Sequence, residues 1–150
     1  RKRQAHLQDA LRFLTEANTL DNTRPDISAW LATCSVELGL VQVAKQAVRQ
    51  ALRFEEDLSA RTALELASVL LRFSDERQAP SQADRGPLYL SGRYASEAIA
   101  VARLAIKRQD VPQARLVLAR ALEMKGQLAE AAGELYGALE AIALSQAFGR

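Results

Sequence analysis

Gly39-Leu40-Val41-Gln42-Val43-Ala44, with Val48, Ala51 and Leu52 downstream, has a counterpart in Gly126-Gln127-Leu128-Ala129-Glu130-Ala131, with Leu135, Ala138 and Leu139 downstream. In both runs Ala follows Gly by five residues, a larger apolar residue follows four later, and an Ala-Leu pair closes the pattern. Each run also has a matching upstream segment. These are Ala29-Trp30-Leu31-Ala32 with Val36, and Leu116-Val117-Leu118-Ala119 with Leu122. Apolar residues three and four apart form a stripe on one helix face. A Gly at the end of the first stripe marks a helix stop, because the left-handed backbone there costs it little. Pro25 and Pro112 mark helix starts. The pattern is a helical hairpin, met twice.

Composition agrees with helices. Half of the 150 residues are apolar, aromatics make up 5%, and Ala, Leu and Arg dominate. Those three lose little on entering a helix. β-branched residues are few and scattered, which argues against a sheet. The chain is expected to be all-α and to form one domain over residues 1–150.

Before and between the two hairpins the same spacing recurs in weaker form. Ala10, Leu14 and Ala17 fit a second helix without a first; Leu66, Ala67 and Leu70 fit a first helix; Ala98, Ala102 and Ala105 fit its partner. Ala10 and Ala44 are 34 residues apart, and Ala98 and Ala131 are 33 apart. A period of this size is the mark of a helical repeat.

On these residues the sequence resembles the tetratricopeptide repeat family. That family's consensus places Trp, Leu, Gly and Tyr on the first helix, Ala, Phe and Ala on the second, and Pro at the end. The repeats are degenerate. The aromatic slot holds Ser28, Ala63 and Arg115, the Tyr slot Ser35, Leu70 and Leu122, and the Pro slot Asn22, Glu56 and Asp110. The resemblance implies a right-handed superhelical array of antiparallel helix hairpins with about seven helices. Its repeats fall at 5–23 (second helix only), 25–58, 60–111 and 112–145. The third of these is interrupted: Ser74 to Gly92 contains Pro80, Gly86, Pro87 and Gly92, which is loop chemistry. Within that loop Leu88, Tyr89 and Leu90 are apolar enough to fold back or meet a partner. Tyr94 is expected to open the next helix.

A search for chemistry finds little. His6 is the only histidine and Cys34 the only cysteine. A metal site needs several such ligands, and a nucleophilic thiol needs a base beside it. No phosphate-binding glycine loop or nucleophile elbow is present. Glu55, Glu56 and Asp57 lie together at a hairpin junction, where solvation or capping accounts for them. The expectation is a chain with no enzymatic activity, no cofactor, no metal and no small-molecule substrate. No apolar run approaches the ~20 residues that span a bilayer, so no membrane association is expected. A single cysteine suits a reducing, intracellular and cytoplasmic setting. The first residue is Arg1, not Met, which reads as a piece of a longer protein.

The resemblance further implies that the partners are other proteins. In the family, ligands touch the second, fifth, sixth, ninth and thirteenth positions of each repeat. Here those slots hold Asp26, Ala29, Trp30, Thr33 and Glu37, then Leu64, Glu65, Ser68 and Arg72, then Gln113, Leu116, Val117, Arg120 and Met124. Trp30 reads equally as an interface anchor or as core packing. The family's carboxylate clamp, built on Lys and Asn, is absent, since its first two slots are Ala29 and Thr33. Leu20 to Leu31 is similar to repeat junctions of cilia- and flagella-associated tetratricopeptide proteins, which implies an axonemal scaffold. Two other classes stand beside this one. An architectural segment would bind through the convex face or self-associate through the solenoid ends. An RNA-binding helical repeat needs a basic groove, and a net charge of +2 with Asp26, Glu37 and Glu65 in the groove argues against it.

Overall fold

A computed structural model describes residues 2–74 and 88–148 of the chain. Among those residues the fold is all-α, with no strand. Seven α-helices follow in order: α1 Lys2–Leu20, α2 Pro25–Glu37, α3 Val41–Leu52, α4 Ala60–Ser74, α5 Leu88–Arg108, α6 Pro112–Met124 and α7 Leu128–Phe148. A single 3-10 turn, Glu55–Asp57, separates α3 from α4.

Local chemistry sets the ends. Pro25 and Pro112 begin α2 and α6, where a fixed φ and a missing N–H cost nothing. Arg24 and Val111 before them are extended, as a residue preceding Pro must be. Ser59 starts α4 by accepting the Thr62 N–H at 3.2 Å. α2 and α6 stop in the same way. Gly39 and Gly126 take φ of +77° and +82°. The Gly39 N–H donates to the Val36 carbonyl at 3.0 Å and the Leu40 N–H to that of Ser35 at 2.8 Å. The Gly126 N–H donates to Glu123 and the Gln127 N–H to Leu122, both at 2.9 Å. These paired bonds satisfy carbonyls that a helix end leaves open. Turns this short force the flanking helices to run antiparallel.

Neighbours in sequence pack together: α1 on α2, α2 on α3, α4 on α5, α5 on α6 and α6 on α7. In addition α2 packs on α4, and α4 on α6. The first helices of successive pairs therefore form one continuous row.

Burial repeats with the spacing. Leu31 and Ala32 on α2, Leu66 and Ala67 on α4, and Leu118 and Ala119 on α6 are all buried. Four residues beyond each Leu, Ser35, Leu70 and Leu122 are buried too. On the second helices Ala44, Ala98 and Ala131 are buried, as are Ala51, Ala105 and Ala138. Small side chains let the helix axes approach, and the leucines fill the space between them. Ser35 is tolerated in this core because its hydroxyl donates to the Leu31 carbonyl at 2.7 Å.

Polar links fix the joints. At the α1–α2 junction Asn18 donates to Gln50 at 3.0 Å and accepts from buried Ser28 at 3.3 Å. Arg115 on α6 makes a two-pronged contact with Asp110 and reaches Glu134 on α7 at 3.1 Å. It ties three segments together by charge. On α5, Tyr94 meets Phe73 of α4 edge-on at 5.5 Å between ring centres, and Lys45 of α3 lies over it.

One expectation is corrected. α4 runs to Ser74 and α5 starts at Leu88, so Leu88, Tyr89 and Leu90 form the first turn of a helix and are not loop residues. The remainder of the expected 74–92 loop, residues 75–87, lies outside the described residues. The physical reason is visible in sequence. A Pro directly before Leu88 is a helix-start signal, and Gly92 costs a helix interior only about 1 kcal/mol.

Candidate protein-binding face

Residues three and seven apart share one helix face. On α2 this places Trp30, Thr33 and Glu37 in one line, on α4 Glu65, Ser68 and Arg72, and on α6 Val117, Arg120 and Met124. Arg72 donates to Glu37 across the α2–α4 seam. That contact joins the thirteenth position of one expected repeat to the thirteenth of the next, so the first two lines run side by side in register. Arg3 of α1 reaches the other Glu37 oxygen at 3.2 Å, which places the start of α1 at the same corner.

The individual side chains differ in availability. Thr33 and Ser68 are half-buried and turn their hydroxyls to their own helices, onto the Ala29 carbonyl at 3.1 Å and the Leu64 carbonyl at 3.0 Å. Leu64 is half-buried and packs against the core. Met124 is half-buried, while Leu116 and Arg120 are exposed. Ala29 is fully buried, so it is core and is unavailable to a partner. Glu65 faces Arg61 through one oxygen at 3.8 Å, and its other oxygen, Oε2, is buried without a hydrogen-bond partner among the described residues. An unmet buried acceptor is uncommon and calls for a donor.

Trp30 is 46% exposed, so nearly half of its surface is open to solvent. It stands at an open cavity of about 620 Å³ whose lining includes Arg24, Asp26, Asp57, Arg61 and Thr62. The cavity lies where the first turns of α2 and α4 approach each other. Arg24 pairs with Asp26 at 3.5 Å, so its wall carries both signs of charge. Reading the sequence for single contact slots misses Arg24, Asp57 and Arg61. The signal for them is the repeat frame itself, because Arg24 to Asp26 and Ser59 to Arg61 occupy the same turn of successive repeats.

Cys34 is half-buried, and burial, with a smaller contribution from Glu37, raises its thiol above the ordinary 9.0. It is therefore protonated at neutral pH, unlike an activated nucleophile. Among the described residues no group of three or more His, Cys, Asp or Glu side chains is placed to hold a metal ion, and no helix is long and apolar enough to cross a membrane. Comparison with known proteins finds no family model, no curated protein and no solved structure that matches the chain.

Proposed function

We propose that the chain is a non-catalytic protein-interaction module of the tetratricopeptide type, which holds partner proteins against the row formed by α2, α4 and α6. One observation carries the reading: the single tryptophan is half-exposed at a roomy cavity between two repeat-equivalent helix starts. Aromatic side chains set in pockets with arginines nearby dominate binding energy at protein interfaces. Phased burial in the first helices supports the repeat assignment, and through it a superhelical array. A cytoplasmic setting rests on the single cysteine, and placement in a ciliary or axonemal assembly, the finer proposal, rests on the Leu20 to Leu31 likeness alone.

The test uses the chain as bait in an extract of its own cells, compared with Trp30→Ala and with Phe13→Ala on the outer side of α1. Trp30→Ala should deplete specific partners by about 30-fold in affinity, the equivalent of about 2 kcal/mol at an interface anchor. Phe13→Ala should leave them in place. With one tryptophan in the chain, binding at this face must also shift its fluorescence. An unchanged partner set, with unchanged emission on binding, refutes the proposal.

A further inference from the structure

We infer that the outer face of α3 and α5 binds an acidic segment of a partner protein, with one of its aliphatic side chains seated between the two helices. This face is distinct from the α2–α4–α6 row, so the inference stands whether or not that row binds a partner. It starts from an uneven spread of charge. The chain as a whole carries only +2. Yet α3 holds Lys45 and Arg49 and no acidic residue, and α5 holds Arg93, Arg103, Lys107 and Arg108 against Glu97 alone. The other second helices differ. α1 mixes both signs and pairs Arg12 with Asp9, and α7 carries Glu130, Glu134 and Glu140 with no basic residue.

The charges share one side. Lys45, Arg49 and Arg53 follow at intervals of four, so they climb α3 in steps of about 6 Å. Arg49 and Arg53 are exposed, as are Lys107 and Arg108 at the end of α5. Two contacts hold α5 beside α3. Lys45 lies over the Tyr94 ring at 5.3 Å, and Arg108 donates to the Glu56 carbonyl, just past Arg53, at 3.0 Å. Arg103 is paired with Glu130. Among the described residues none of Lys45, Arg49, Arg53, Lys107 and Arg108 has a carboxylate partner. Glu55, Glu56 and Glu97 border the face, and these five cations outnumber them. A face that keeps a positive excess attracts and orients a negative partner.

Between the two helices lies a small cavity of about 160 Å³. Buried Val48 and Leu70 line it with the rings of Phe73 and Tyr94, and Lys45, Arg49 and Glu97 stand around it. It is smaller than the cavities of about 300 Å³ and above that take small-molecule ligands, and it suits a single aliphatic side chain. Three arguments select a protein segment over other polyanions. Single-stranded nucleic acid stacks its bases on open aromatic faces, whereas Tyr94 is half-buried, with Phe73 at 5.5 Å and Lys45 over it. Anionic membranes are held by basic residues set beside apolar side chains that insert. The outermost line of α3, Gln42, Gln46, Arg49 and Arg53, has no apolar side chain. A peptide combines carboxylates for the arginines with an aliphatic group for the cavity.

Fluorescence anisotropy of the intact chain with a labelled helical peptide tests this. The probe has about 15 residues, with Glu at every fourth position and one central Leu. Binding is expected in the micromolar range, weakening several-fold between about 50 and about 200 mM salt. Arg49→Gln combined with Arg53→Gln, both exposed, should weaken it about tenfold or more at unchanged helicity. Replacing the peptide's Leu by Ala should weaken it several-fold. Lys2→Gln combined with Lys125→Gln, an equal loss of charge elsewhere, should leave it unchanged, and so should Trp30→Ala. No binding up to about 500 µM peptide overturns the inference. So does a loss matched by the Lys2 and Lys125 variant, or one produced by Trp30→Ala, which would place the peptide on the inner row. A mixed-sequence single-stranded RNA or a phosphatidylserine vesicle that binds through Arg49 and Arg53 more tightly than the peptide also overturns it.

Discussion

Replacing glycine by alanine at three positions should give opposite effects from one chemical change. Gly39 and Gly126 hold φ of +77° and +82°, and a Cβ added at either meets nothing within 4 Å. The cost is therefore one of backbone alone. A left-handed L-residue costs about 1–2 kcal/mol, and the stiffer unfolded chain returns up to about 1 kcal/mol of that. Gly39→Ala and Gly126→Ala should each lose about 1 kcal/mol. Gly133 lies inside α7, has no positive φ, and is equally free of neighbours. Alanine there should gain about 0.5–1 kcal/mol, the usual helix-interior difference. Urea unfolding followed by far-UV circular dichroism reads both signs. With a slope of about 1–3 kcal/mol per molar, the midpoints move by a few tenths molar in opposite directions. If Gly39→Ala and Gly133→Ala moved the midpoint the same way, the account of the hairpin turns would be wrong.

Three further outcomes follow from the packing and the charges. Leu66→Ala empties a fully buried site in the central row and should cost about 2–5 kcal/mol in urea unfolding; a loss under 1 kcal/mol contradicts its placement. Arg115 hydrogen-bonds Asp110 and holds its carboxyl below the ordinary 3.8. A depressed carboxylate adds stability that is complete above the unfolded value and lost as pH falls through the folded one. Arg115→Lys should therefore be less stable than wild type at neutral pH, and the gap should close as pH drops below 3.8; a gap that persists in acid shows the loss to be packing alone. Burial raises the Cys34 thiol, so at about pH 8 iodoacetamide should label it several-fold more slowly in the folded chain than in urea, since the thiolate is the reactive form; equal rates count against its environment.

Much of the fold was legible because side-chain size and spacing carry it. Pro25, Pro112, Gly39 and Gly126 act through backbone geometry, and such effects are local. The recurrence of Leu31-Ala32, Leu66-Ala67 and Leu118-Ala119 signals a shared row because each pair must fill the same kind of seam. The start of α5 was hidden, since a composition rich in Pro and Gly over 74–92 outweighed one Pro placed to begin a helix. The binding face was legible only in outline. Periodicity places Trp30, Thr33 and Glu37 together, yet adjacent slots on one helix differ by about 100° in direction, and that angle separates buried Ala29 from exposed Trp30. The Arg115 contacts form an ionic joint, and no periodicity of apolar residues announces one.

The seam alanines test the account at its root. Ala44→Leu, Ala98→Leu and Ala131→Leu each force a bulky side chain into a close helix approach, and Ala129→Leu makes the same change on the surface. Chemical denaturation of the four variants should give losses of about 1–3 kcal/mol at every seam position and a change within about 0.5 kcal/mol at the surface one. If any of the three seam variants unfolded at the midpoint of the surface variant, the three helices would not share one packing environment, and the repeat reading would fail.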